Sequence, residues 1–183
     1  MTSPAFDTFV VRRLSAREAA ERTGDLAAVL LDCVHGGASV SFMSPLSAEK
    51  AHGFWRRVAE DVASGDRILL VAEEPGSGAI VGTVQVVVGL PENQPHRADV
   101  AKMLVHRSAR RRGLGGALMQ AAAEHARAAG KTLLVLDTVT GGDAERLYER
   151  LGWTRVGVVP DYALMPDGRP CDTTIFYKRL ADG

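Results

Sequence analysis

Cysteine occurs only twice in the 183 residues, at Cys33 and Cys171. Two are too few for a disulfide scaffold, and their spacing is not that of a metal site, which leaves reduced thiols in a cytoplasmic protein as the plain reading, with no metal expected. Net charge is also missing, because 22 Lys plus Arg balance 22 Asp plus Glu. No general attraction to nucleic acid or to an anionic membrane is therefore expected. No apolar run is long enough to span a bilayer, and the start, MTSPAFDTFVVRRL, lacks the basic-then-apolar pattern of a secretory leader. Internal repeats and low-complexity tracts are absent. So are the Gly-x-Ser-x-Gly elbow of a serine hydrolase and the Gly-Lys-Ser/Thr ending of a Walker A loop.

What remains is an ordinary globular composition, 46% apolar and 24% charged, at a length that fits one domain over residues 1–183. FVVRRL, from Phe9 to Leu14, reads as a first strand, and Ser15 then caps a helix through SAREAAERTGDLAAVLLDCVH that Gly24 weakens or splits. Residues 36–45 read as a loop, and a second helix starts near Ser47. DRILLVAEE and AIVGTVQVVVGL read as a hairpin turned at PGSG, followed by a fourth strand from Arg97 to Val105 and a fifth from Lys131 to Thr138. The alanine-rich helix between those two makes a βαβ unit, so they should be parallel with a right-handed crossover. DAERLYERLG is a short helix ended by Gly152, and WTRVGVV and TTIFYKRL are the last strands, separated by MPDGRP. The expected fold is α/β, a mixed sheet of about seven strands with helices on both faces.

One stretch stands apart. VHRSARRRGLGGALM sets Arg110, Arg111 and Arg112 directly before Gly113, Leu114, Gly115 and Gly116, where a helix begins. Exposed N–H groups at a helix start suit an anion, and glycines let it approach the backbone. The Rossmann fingerprint does not fit: Leu118 stands where its third glycine would be, and no acidic residue follows at the ribose position. On this stretch alone, a diphosphate site and a tight turn with solvated arginines both stand.

RRRGLG matches the (Q/R)-x-x-G-x-(G/A) signature through Arg110, Gly113 and Gly115, and AERLYERLGW matches A-x-x-x-Y-x-x-x-G-(F/W) through Ala144, Tyr148, Gly152 and Trp153. In these motifs and in element order the chain resembles the GNAT N-acetyltransferases, most specifically from Asp99 to Trp153. GASVSFMSPLS, RADVAKMLVHRSARRRGLG, LLVLDT and PDYALMPDGRPCDTTIFYK look like the tabtoxin-resistance-type members. Gly141 departs from the pattern, because many relatives carry Asn three residues before the alanine of the last element. The resemblance implies a GNAT fold whose parallel fourth and fifth strands splay apart around acetyl-CoA as acetyl donor. It implies that the main chain of Met103, Leu104 and Val105 pairs with the pantetheine arm, and that N–H groups from Arg111 to Gly116 take the pyrophosphate. It also implies transfer to a small-molecule amine, with antibiotic or toxin detoxification as a role. The family often forms homodimers, but no interface is legible.

Attack on a thioester needs a neutral amine, and at pH 7 a lysine-like amine is neutral only about one part in a thousand. A base is required, and the departing sulfur needs a proton. Asp99 and Asp137, near the ends of the fourth and fifth strands, each read singly as a solvent-facing strand end. The tabtoxin-resistance-type relatives carry acids at both positions, which implies that the pair accepts the proton, provided burial or the second carboxylate makes one of them basic enough. Tyr148 would by itself read as core; the resemblance makes it the donor to the CoA thiolate. His35, Ser39, Ser41, Phe42 and Trp55 are candidates for the acceptor wall, with Phe42 and Trp55 better read as core. His106 reads as a loop residue. Three other readings are open: an acyl-CoA-binding sensor without catalysis, transfer to a protein amine, and nucleic-acid binding through the arginines. The balanced charge opposes the last of these.

Overall fold

The structure is a computed structural model that describes residues 9–180; the stretch read for a leader lies mostly outside them. The described elements are β1 (Val10–Arg13), α1 (Ala16–Glu21), α2 (Thr23–His35), α3 (Ala48–Ser64), β2 (Arg67–Glu73), β3 (Ile80–Val87), β4 (Arg97–Val105), α4 (Leu114–Ala128), β5 (Leu133–Val139), α5 (Asp143–Arg150), β6 (Thr154–Leu164) and β7 (Pro170–Arg179). The strands form one sheet in the order β1-β2-β3-β4-β5-β7-β6. β4 and β5 are parallel, and the other neighbours are antiparallel. The α/β fold with a mixed seven-stranded sheet is as expected.

Two layers of helices follow from the apolar stripes. Leu26, Val29, Leu30, Trp55 and Val58 from α2 and α3 pack with Leu69 and Val71 on one face. Leu114, Leu118, Ala122 and Tyr148 from α4 and α5 pack with Val84, Val100, Leu134 and Phe176 on the other. Trp55 is fully buried and belongs to the core, as its residue type suggested.

The details differ from expectation in two places. The first helix breaks at Arg22, not at Gly24, which lies inside α2. Arg22 leaves the helical conformation while its guanidinium reaches Glu73, Asp25 and the carbonyl of Gly78. The last two strands also run further than the apolar pattern showed. β6 continues to Leu164 past an irregularity between Val159 and Ala163, where Asp161 takes φ +50 and its N–H donates to the Asp172 carboxylate at 2.9 Å. Polar side chains hold that extension, so hydrophobic alternation does not reveal it.

β4 carries the irregularity that matters most. Gln85 pairs with Ala101 and Thr83 with Leu104, so Lys102 and Met103 together oppose Val84. This is a β-bulge, and it reverses the alternation of the strand. Ala98 and Val100 belong to the cluster under α4, whereas Leu104, an even number of residues on, belongs to the cluster under α2 and α3. Without the bulge, Lys102 would share the face of Val100 and set an ammonium into an apolar cluster, which is costly. Instead Lys102 takes φ +50, and the Thr83 hydroxyl donates to its carbonyl at 2.9 Å.

The edge of the sheet is pinned to α1 by charge. Glu73 accepts from Arg12 at 2.8 and 2.9 Å and also contacts Arg22. The Arg12 hydrogen bonds hold the Glu73 carboxyl below its ordinary value against the opposing effect of burial. A depressed folded value contributes stability above the unfolded pKa of about 4.3, and that stability is lost as pH falls through the folded value. Glu73→Gln should therefore cost about 1–3 kcal/mol in urea melts at about pH 7, and the gap to wild type should narrow steadily as pH falls below the unfolded value. A gap that stays constant as pH falls would contradict this account.

Candidate active site

β4 and β5 share only three rungs, Arg97–Leu133, Ala98–Leu134 and Asp99–Val135. Beyond Asp99, β4 keeps β3 on one side, while β5 continues along β7 as far as Val139. The strands part there, as the resemblance implied. Met103, Leu104 and Val105 are on the parted stretch, with Leu104 buried and the other two partly so. Val105 is not wholly free, because its carbonyl accepts from Arg110 Nε at 3.0 Å and from the Cys33 thiol at 3.5 Å.

The arginine turn lies at the open end of the parting. Gly113, at φ +78, occupies the N-cap of α4 and offers no side chain to the first-turn N–H groups. The helix therefore starts uncapped, with its positive dipole end exposed. Each glycine has a separate physical reason. Gly113 meets a backbone requirement. A Cβ on Gly115 would come within 2.9 Å of Leu147, so α5 packs against it, with Met103 next nearest. A Cβ on Gly116 would meet nothing within 4 Å among the described residues. Only the last position is open for want of any structural need.

The three arginines, which the sequence presents as one cluster, do different things. Arg110 turns back onto the Val105 carbonyl and the Cys33 sulfur. The Arg112 guanidinium stacks 4.3 Å from the centre of the Phe9 ring. Arg111, at φ +59, has no carboxylate within ion-pair distance among the described residues. Arg111 and Arg110 both act through space on Asp143, whose carboxyl is lowered chiefly by its hydrogen bond from Arg146.

Asp99 and Asp137 come to the mouth of the parting on one face, because Asp99 pairs with Val135 and strand residues alternate. They are not equivalent. The Asp99 carboxylate is held by Arg97, whereas Asp137 is exposed and has no cation within ion-pair distance among the described residues. Tyr148 is 5% exposed and packs between Trp153 and Phe176, each ring 6.0 Å away. Burial, with a smaller contribution from Asp137, pushes its phenol above the ordinary tyrosine value.

The Gly141 departure has a local explanation. Gly141 adopts φ +78, its N–H donates to the Glu145 carboxylate, and Arg146 donates to its carbonyl at 3.0 Å. Glu145 also accepts from the Thr174 hydroxyl at 2.9 Å. The β5–α5 turn is closed from within α5.

On the α2–α3 side, the loop from residue 36 to 45 reaches β4 through Ser41 and the β6–β7 hairpin through Ser39 and Ser44. The Ser39 hydroxyl donates to the Leu164 carbonyl at 3.0 Å, and Ser44 N–H to the Pro166 carbonyl at 2.9 Å. His35 Nε2 accepts from Leu46 N–H at 3.3 Å, so it ties the loop down. His106 caps the short turn at residues 107–109, in keeping with a loop role. Phe42 and Phe54 meet edge to face at 5.3 Å. Ser41, at φ +75, accepts from the Lys102 ammonium at 3.1 Å, and that ammonium lies 5.8 Å from the Phe54 ring centre. Lys102 and Gln85 are the residues sequence reasoning missed. Gln85 is fully buried, its carbonyl holds Arg67, and its Nε2 has no partner among the described residues. The available signal was a lysine interrupting the apolar run VAKMLV.

Comparison with known proteins agrees with this geometry. A family model described as the acetyltransferase (GNAT) family matches residues 39–153. An N-acetyltransferase from Staphylococcus aureus Mu50 superposes with a TM-score of 0.77 at 18% identity, covering 95% of this chain and 99% of that one. A putative acetyltransferase from Salmonella typhimurium, solved with its cofactor acetyl-CoA, gives 0.75 at 20% identity over 96% of each chain. A ribosomal-protein-alanine N-acetyltransferase from Brucella melitensis gives 0.77 at 22% identity, covering 93% and 99%. At these identities the likeness is one of fold.

The glycine assignments can be separated by thermal melts. Gly113→Ala should destabilise by about 1–2 kcal/mol, since an L residue is placed in the left-handed region. Gly116→Ala should be neutral or stabilising by up to about 1 kcal/mol, as alanine is the better helix former. Destabilisation by Gly116→Ala would reveal a structural role that the open space around it does not show.

Proposed function

The chain belongs to the acetyltransferase (GNAT) family, and on that premise we propose that it is an acetyl-CoA-dependent N-acetyltransferase acting on a small-molecule amine by direct transfer in a ternary complex. One observation carries the reading: a parallel strand pair that separates after three rungs beside an uncapped helix N-terminus.

The residues present fit acetyl-CoA. The parted edge of β4 offers main-chain groups of Met103 and Leu104 to an extended amide-bearing arm, and Gly113–Gly116 with Arg111 offer N–H groups and a full charge to a diphosphate. Arg112 and Arg110 support this turn from behind, through Phe9 and Val105. When bound, acetyl-CoA supplies the acetyl group as a thioester. The chain supplies position and proton management, which together provide most of the rate in a direct transfer.

Asp137 is the better candidate for the base. Its carboxylate is free of the ion pair that occupies Asp99, and it is exposed at the mouth where an amine arrives. Asp99 with Arg97 is assigned to the rim of the acceptor side. Tyr148 is assigned as hydrogen-bond donor to the departing sulfur. Its raised value keeps the phenol protonated at working pH. Full proton transfer to a thiolate of pKa about 8.5 would be uphill from a phenol above about 10. The phenol therefore stabilises developing charge, and solvent completes the protonation.

Detoxification of an antibiotic or toxin rests on the tabtoxin-resistance-type resemblance.

Calorimetric titration with acetyl-CoA, CoA and desulfo-CoA tests the donor site directly. Arg111→Glu should weaken binding about 10–100-fold, the range of a lost charge-assisted hydrogen bond, and Arg112→Glu distinctly less. No binding of any of the three compounds would overturn the reading. Across an amine panel, Asp137→Asn should lower kcat about 10²–10⁴-fold and Asp99→Asn much less. Tyr148→Phe should lower kcat with acetyl-CoA affinity preserved, and a loss confined to affinity would make it a packing residue only.

A further inference from the structure

Lysine is rare in this chain, occurring at Lys50, Lys102, Lys131 and Lys178. Lys131 and Lys178 donate to the Pro95 and Leu151 carbonyls at 2.8 and 2.7 Å, and Lys50 is exposed in the first turn of α3. Lys102 alone stands at the parting, past the last rung shared with β5 and one residue before Met103. Its hydrogen bond to Ser41 joins two non-glycine residues that both occupy the left-handed region. Strained backbone of this kind costs on the order of 1–3 kcal/mol per residue and gathers at functional sites. The ammonium is partly buried, and among the described residues no carboxylate lies within ion-pair distance of it. Burial pushes it below the ordinary lysine value, Arg67 adds to that effect, and Asp137 across the parting opposes it. A lysine so placed has what an acetyl acceptor needs: an amine with an enlarged neutral fraction, a carboxylate across the parting that acts on it through space, and a position beside the main chain assigned to the donor.

We propose that Lys102 is itself an acetyl acceptor, a self-acetylation site that is modified from bound acetyl thioester when no external amine is present. This rests on the donor reading above and goes beyond it by locating a modification on the protein itself. The Nζ lone pair forms the new N–C bond to the acetyl carbonyl. The C–S bond breaks with its electron pair remaining on sulfur, and the proton shed by nitrogen passes through Asp137 or water to that sulfur. The products are Nε-acetyl-lysine and a free thiol, so no oxidant or reductant is involved. The acetylated side chain is neutral, loses the cation over the Phe54 ring, and fills part of the approach that an external amine uses. Self-acetylation therefore acts as a brake on turnover.

The wild-type chain carries the test. It is incubated with acetyl-CoA and no amine, and acetyl groups are located by peptide mapping. Acetyl should accumulate on Lys102 at least about tenfold faster than on exposed Lys50, since positioned reactants gain far more than that over free encounter. Lys102→Arg should bind acetyl-CoA in calorimetry and gain no acetyl at this position. A second readout is independent of turnover. Competitive labelling with acetic anhydride, without acetyl-CoA, should show Lys102 becoming nucleophilic at a lower pH than Lys50. Acetyl-CoA binding with Lys102 acetylated no faster than Lys50 would overturn this inference alone, as would equal labelling midpoints. Absence of acetyl-CoA binding would overturn the donor reading and this inference with it.

Discussion

β4 and β5 run together for three rungs and are then driven apart, and the rest of the site depends on that separation. Two contacts enforce it. On one side, the bulge at Lys102 and Met103 bends β4 and reverses its faces. On the other, Leu147 of α5 packs against Gly115 of α4, with Met103 adjacent. A side chain at Gly115 would have to displace the end of Leu147, so the glycine lets α5 close onto the start of α4 beside the parted edge of β4. One packing constraint thus sets a polar strand edge and a helix N-terminus next to each other.

The bulge also decides which side chains face the acceptor. Had β4 kept its alternation, Lys102 would have been buried under α4 with Val100. The extra residue instead delivers it to Phe54 of α3 and to Ser41, on the loop that the β6–β7 hairpin holds down through Leu164 and Pro166. Among the described residues, three of the four non-glycine positions with left-handed backbone, Ser41, Lys102 and Arg111, lie around the parting. The fourth, Asp161, is held by Asp172 in the extended hairpin. Conformational strain in this chain is concentrated where ligands are proposed to bind.

Much of the fold was legible because it follows from local pattern. The apolar spacing of α2, α3 and α4, the cap at Ser15, the helix start near Ser47, and the strand–helix–strand order around residues 97–139 all read correctly. The break at Arg22 was not legible, because it depends on Glu73 and Gly78, more than fifty residues away. The length of β6 was hidden for the same reason, since polar contacts across the hairpin sustain it. Within the site, the glycine-arginine turn was visible as a motif, but its internal division was not. Arg112 lies on Phe9 and Arg110 on Val105, and neither partner could be inferred from three identical residues in a row.

By itself, the sequence determined the element order, the parallel β4–β5 crossover and the motifs that mark the family, because periodicity, capping and fixed spacings are properties of neighbouring residues. Tertiary structure alone decided that Asp137 stands without a cation partner among the described residues, and that Tyr148 is enclosed by Phe176 as well as by Trp153. It alone brought Lys102 to Ser41. A side chain's charge partner, burial and direction depend on strands and loops that only folding brings within a few ångströms, and a single bulged residue is enough to exchange one face of a strand for the other.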